Sequence, residues 1–115
     1  MQHDDAVYLG HMLEAARKAV GRVAHKSRQE YDADEDLQIV LAHLVQIIGE
    51  AAGRVSELTR SAHPNIAWRP IIGMRHRIVH DYMNINTGVL WGVTTRNLPE
   101  LIRLLEPLVP PGDDA

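Results

Sequence analysis

Residues 34–58 read DEDLQIVLAHLVQIIGEAAGRVSEL. Within them Leu37, Val40, Leu41, Leu44, Ile47, Ile48, Ala51, Val55 and Leu58 recur at intervals of three and four. That period holds over about six helical turns, so the stretch predicts the central helix of a bundle. Asp34 is placed to cap it, with Glu35 and Asp36 favouring the positive end of its dipole. Gly49 and Ala52 are small enough to let another helix approach. Glu50 interrupts the apolar run and either faces solvent or pairs with a basic side chain. Of His3, His11, His25, His43 and His63, His43 is the best placed to be buried.

The same period extends in both directions. Upstream, Leu9, Met12, Ala16, Ala19, Val20 and Val23 form one stripe on a helix from about Asp5 to Ala24, with Asp4 and Asp5 as suitable N-caps. Lys26 to Asp34 has no apolar period and reads as a connection. Downstream, Ser61 to Arg69 reads as a loop containing Pro64 and Asn65. Pro70 suits the first position of a third helix that stops near His80. A polar break at Met83 to Thr87 precedes a fourth helix, Gly88 to Leu108, which Pro99 should kink or split near Asn97 or Leu98. No β-type alternation is long enough for a sheet. The expected fold is all-α, an up-and-down helical bundle of four to five helices, with one domain over 1–110 and a flexible tail at 111–115.

Composition bounds the chemistry. The 115 residues are 45% hydrophobic and 23% charged, which is globular rather than disordered. The absence of cysteine excludes disulfides, thiolate metal sites and cysteine nucleophiles. There is no Gly-rich phosphate loop, no membrane-length apolar run and no signal-like N-terminus, so a cytoplasmic protein with no membrane partner is expected.

The net charge is −3, but it is unevenly spread. Leu58 to His80 contains no acidic residue and carries Arg60, Arg69, Arg75, Arg77, His63, His76 and His80. A basic island in an acidic chain can mark an anion site; a solvated face accounts for it equally well. At its end, Arg75-His76-Arg77-Ile78-Val79-His80-Asp81-Tyr82 suits phosphodiester cleavage. Histidine exchanges a proton near neutral pH, and arginine grips a phosphate with two hydrogen bonds and stabilises developing charge. RNA supplies its own 2′-hydroxyl nucleophile, so neither metal nor cofactor is obligatory. On a regular helix, however, Arg75 and His80 lie about 140° apart and converge poorly. The helix end, or a second copy across a two-fold axis, could relieve this.

Arg75-x4-His80-x-Tyr82 resembles the R-x4-6-H motif of HEPN ribonucleases, in the R-x4-H-x-Y form of the HepT toxins. Ile47-Ile48-Gly49-Glu50-Ala51-Ala52, the Trp68-Arg69-Pro70 step, Met74-Arg75, Ile78-Val79-His80 and Asn97-Leu98-Pro99-Glu100-Leu101 fall where HepT-like chains have similar segments. The resemblance covers residues 5–108. It implies a HEPN bundle and a homodimer whose paired motifs share one cleft. It also implies a metal-independent endoribonuclease acting on RNA as the toxin of a toxin–antitoxin pair. Arg75 and His80 then inherit the catalytic roles, with His76, Arg77 and Tyr82 supporting or binding RNA. The implied partner is a minimal nucleotidyltransferase antitoxin, which in some pairs transfers AMP to the motif tyrosine, here Tyr82. The residue after the motif arginine is often Asn in such chains and is His76 here, which leaves a share of the acid–base work open to it.

Plainer assignments exist for the same residues. Arg75, Arg77 and His80 could only complement a helix dipole. Tyr82 could pack with a wet hydroxyl. His76 and His80, four apart and beside Asp81, could face one metal, without a firmly placed third ligand. Trp68 and Trp91 fit the core or a dimer interface better than a base-stacking platform. The competing function is a non-catalytic helical module that docks on a nucleotidyltransferase or holds a nucleotide.

Overall fold

The computed structural model describes residues 3–81 and 84–111, and of His3, His80 and Asp81 the backbone alone. The fold is all-α in its body, as the apolar period requires. Two long helices form its frame, α1 (His3–Val23) and α3 (Glu35–Arg54). They pack along their lengths, with the start of α1 against the end of α3, so they run antiparallel. Leu9, Met12, Ala16, Leu41 and Ile48 are completely buried between the elements. Each large aliphatic side chain removed from water in this way contributes about 1.5–3 kcal/mol before the entropy of ordering is counted.

Around the frame lie shorter pieces: α2 (Arg28–Asp32), α4 (Glu57–Ala62), α5 (Trp68–Ile72) and α6 (Met74–Ile78). A jointed C-terminal helix follows, made of α7 (Thr87–Gly92), a π-turn over Val93–Asn97 and α8 (Leu98–Leu105). A 3₁₀ turn, Glu106–Leu108, is the last element among the described residues, and Glu106 pairs with Arg17 of α1. The kink expected at Pro99 is present as the π-turn just before it. Proline has no N–H for the Thr95 carbonyl, and the Leu98 N–H bonds Val93, five residues back. The Thr94 and Thr95 hydroxyls donate to the Leu90 and Trp91 carbonyls, at 2.9 and 2.7 Å.

Several expectations are corrected. The connection at Lys26 to Asp34 holds helix α2, closed by a capping box between Ser27 and Glu30. Its single buried residue, Tyr31, donates to the Thr87 carbonyl at 2.7 Å and packs on Trp91. Asp34 does cap α3, accepting from the Leu37 N–H. That helix stops at Arg54 because Val55 turns extended and Ser56 caps a new helix, α4. Leu58, counted in the apolar stripe, is consequently 76% exposed. His43 is exposed, not buried.

Asp5 is not an N-cap of its own helix, which begins at His3. It is buried, and its carboxylate accepts from the Ser56 N–H and hydroxyl and the Thr59 hydroxyl at 2.6–2.8 Å. These donors, the Ser56 hydroxyl foremost, hold its pKa below the usual aspartate value. The third helix begins at Trp68, two residues before Pro70, where the missing N–H is still tolerated. It breaks at Gly73 and ends at Ile78 rather than at His80. Beyond it lies a short antiparallel ladder, β1 (Val79–Asp81) with β2 (Asn84–Ile85), where no strand was expected. Of the proposed tail only Pro111 is among the described residues, and Tyr82 lies outside them.

Candidate functional site

The site is built where the helical path fails. Helix α6 is one turn and a half, anchored by Met74 and Ile78, which are buried four residues apart. Between them Arg75, His76 and Arg77 project as exposed residues. The Val79 N–H still reaches back to the Arg75 carbonyl, but its own backbone is extended. The Asn86 N–H closes on the Ile78 carbonyl at 2.7 Å, which ends the helix with a long-range bond. Residue 80 therefore stands in β1, outside the helix that carries Arg75. The ideal-helix angle between Arg75 and His80 no longer applies. The same break removes the i,i+4 helical alignment on which a His76–His80 metal pair relied.

Gly49 sets where this segment rests. A Cβ there would come within 3.2 Å of the Ile71 carbonyl oxygen, so only glycine lets α5 lie this close to α3 without a shift. Against this contact, Arg75 and His76 border a recess of about 270 Å³ with Gln46, Gly49, Glu50, Gly53 and Ile72. Glu50 is solvent-facing, the first of the two readings given it, and accepts from Gln46 Nε2 at 3.2 Å. It lines the recess with Arg75 and His76 and makes no ion pair with either among the described residues.

Arg77 goes elsewhere. It borders a groove of about 360 Å³ between α5–α6 and the jointed C-terminal helix, with Arg96 and Asn97 of the π-turn and an apolar floor including Ile71, Met74 and Leu101. The basic residues adjacent in sequence are thus divided between two concavities. Trp68 is in the core and donates to the His63 carbonyl, and Trp91 is half-buried and packs on Tyr31. The recess residues Gln46 and Gly53 drew no notice in the sequence. The spacing of Gln46, Gly49 and Gly53 along one side of α3 was the available signal.

None of Arg60, Arg69, Arg75 and Arg77 joins an ion pair among the described residues; those pairs use Arg17, Lys18, Arg28 and Arg103. No group of three or more His, Asp or Glu side chains suited to a metal occurs among the described residues. No helix there is long and apolar enough to cross a membrane.

An all-α body whose chain leaves α6 for a short strand ladder, with three exposed basic side chains just before it, is the class of protein that the structure defines. Residues 12–108 match the family model for HepT-like ribonucleases, and the chain belongs to that family. It is 30% identical over 94 residues to "Putative RNase TTE0752" of Caldanaerobacter subterraneus subsp. tengcongensis, covering 82% of this chain and 84% of that protein. It is 29% identical over 73 residues to "Probable ribonuclease HepT" of Thermococcus cleftensis, covering 64% and 66%. It is 23% identical over 105 residues to "Putative RNase MJ1380" of Methanocaldococcus jannaschii, covering 91% and 96%. No solved structure gives a significant match.

Proposed function

We propose that this ribonuclease is a metal-independent endoribonuclease that cleaves RNA through Arg75 and His80. The observation that carries the reading is the end of α6 at Ile78. The motif spans a helix and the extended strand after it, so its two residues are freed from their helical separation. Family membership supplies the reaction class, and the exposed Arg75 supplies a phosphate ligand.

In this mechanism the 2′-oxygen attacks the adjacent phosphorus as the bond from phosphorus to the 5′-oxygen breaks. His80 takes the 2′-hydroxyl proton or returns a proton to the leaving 5′-oxygen. Arg75 binds the non-bridging oxygens and stabilises the charge they gain in the transition state. The products are a 2′,3′-cyclic phosphate and a 5′-hydroxyl. A homodimer presents two such motifs to one cleft. The biological setting is a toxin–antitoxin pair, with a minimal nucleotidyltransferase as antitoxin. AMP transfer to the Tyr82 oxygen puts a bulky anion two residues from His80 and excludes RNA by size and charge.

Two assays test this. RNA is incubated with the protein in EDTA and the product ends are identified. Cleavage with cyclic phosphate ends is expected; products with 3′-hydroxyl ends, or none, would overturn the mechanism. The intact mass is then read after incubation with the candidate antitoxin, ATP and Mg²⁺. AMP-sized additions on the wild type but not on Tyr82→Phe support the switch, and inhibition without any addition replaces it with docking.

A further inference from the structure

The recess at Arg75 does not end there. Ile72 also lines a second recess, of about 340 Å³, whose other residues are Glu57, Arg60, Ser61, Trp68 and Arg69. The two concavities therefore adjoin on one face, along α4, α5 and α6. We propose that this face is a track for the RNA backbone, on which Arg60 and Arg69 bind phosphates flanking the one held by Arg75. The proposal rests on the ribonuclease reading and extends it from the scissile phosphate to its neighbours.

Three observations support the track. Arg60 and Arg69 make no ion pair among the described residues, whereas Arg17, Arg28 and Arg103 are each tied to a carboxylate. Arg60 is half-buried, and its Nε is buried with no hydrogen-bond partner among the described residues. An arginine donor out of water without an acceptor is costly, and a shift of the side chain that brought it onto an anion would relieve that cost. Finally, both arginines belong to the stretch free of acidic residues, in a chain that is otherwise acidic.

The carboxylates present select the kind of ligand. Glu57 lines one recess and Glu50 the other, each offsetting a cation there. Neither recess alone holds a free phosphate firmly. A polymer that meets Arg60, Arg69 and Arg75 together gains from their sum.

The test uses the full chain and a fluorescent RNA carrying 2′-O-methyl groups, which cannot be cleaved, with binding followed by anisotropy against salt. Arg69→Gln and Arg60→Gln are each expected to weaken binding about tenfold at low salt. Each should lower the slope of log affinity against log salt by about 0.7, the value for one lost single-strand phosphate contact. Arg103→Gln, removing a paired arginine elsewhere, is expected to change neither. Arg60→Lys, which keeps the charge, guards against misfolding of Arg60→Gln and should retain much of the slope. On cleavable RNA, KM should rise for long substrates, with the rate on a dinucleotide unchanged. Unchanged affinity and slope in Arg69→Gln and Arg60→Gln would overturn the track even if the wild type cleaves RNA. So would a loss confined to binding of the nucleotidyltransferase, which would make the face a protein-docking surface. A wild type that binds with the expected slope but cuts nothing would keep the track and remove the ribonuclease reading.

Discussion

The α1–α3 frame and the segment from Trp68 to Ile85 use polar residues in opposite ways. In the frame, charges are consumed internally: Asp5 is wrapped by Ser56 and Thr59, and Arg17 is held by Glu106. In the segment, the helix is broken at Gly73 and Val79, and Arg69, Arg75 and Arg77 stand exposed without ionic partners among the described residues. Satisfied groups make the frame rigid and inert. Exposed arginines bonded only to water keep their donors available in the segment, which is what the proposed phosphate binding needs. The division predicts that mutations separate cleanly into those that unfold the protein and those that silence it.

The largest effect is expected in the segment. His80→Ala should lower the rate of RNA cleavage by about 10²–10⁴-fold, as for removal of a general acid or base. Its thermal unfolding should match the wild type, and a comparable fall in melting temperature would make residue 80 part of the scaffold. In the frame, Leu41→Ala removes a completely buried side chain from α3. A destabilisation of about 2–5 kcal/mol is expected by denaturant titration, with cleavage retained in the folded fraction.

A smaller loss is expected at the Asp5 clamp. Asp5→Asn should lower the melting temperature by several degrees at neutral pH. The sign of its pH dependence is set by the lowered pKa. Stability from the Asp5 carboxylate is present above the ordinary aspartate value and is lost as pH falls through the lowered one. The gap between wild type and Asp5→Asn should therefore close in acid; a gap independent of pH would contradict the clamp. The smallest effect is expected outside both regions, between α2 and α7. Tyr31→Phe deletes the hydrogen bond to Thr87 next to the hairpin, at about 1 kcal/mol. Its phenol is raised to about 12 by burial, so it stays neutral and keeps donating through ordinary assay conditions.

The frame was readable in the sequence because burial imposes a period, and Leu37 to Val55 keep it at intervals of three and four even past Glu50. The interruptions were less readable because their causes are distant. The end of α3 depends on Ser56 meeting Asp5, and the end of α6 on the Asn86 N–H reaching Ile78. Helix α2 did carry a local signal, Ser27 and Glu30 at capping-box spacing, but one buried residue gives no period to notice. At the site, Arg75 and His80 stood out by type and spacing. The sorting of Arg75 and Arg77 into separate concavities did not, since it follows from how closely Gly49 lets α5 approach.

The most direct measurement is RNA cleavage in EDTA by wild type, Arg75→Ala, His80→Ala and Arg103→Ala, each checked for an unchanged melting temperature. Loss of cleavage in the first two variants, with Arg103→Ala as active as wild type, is the expected result. Cleavage surviving in both Arg75→Ala and His80→Ala would place the chemistry outside the broken segment.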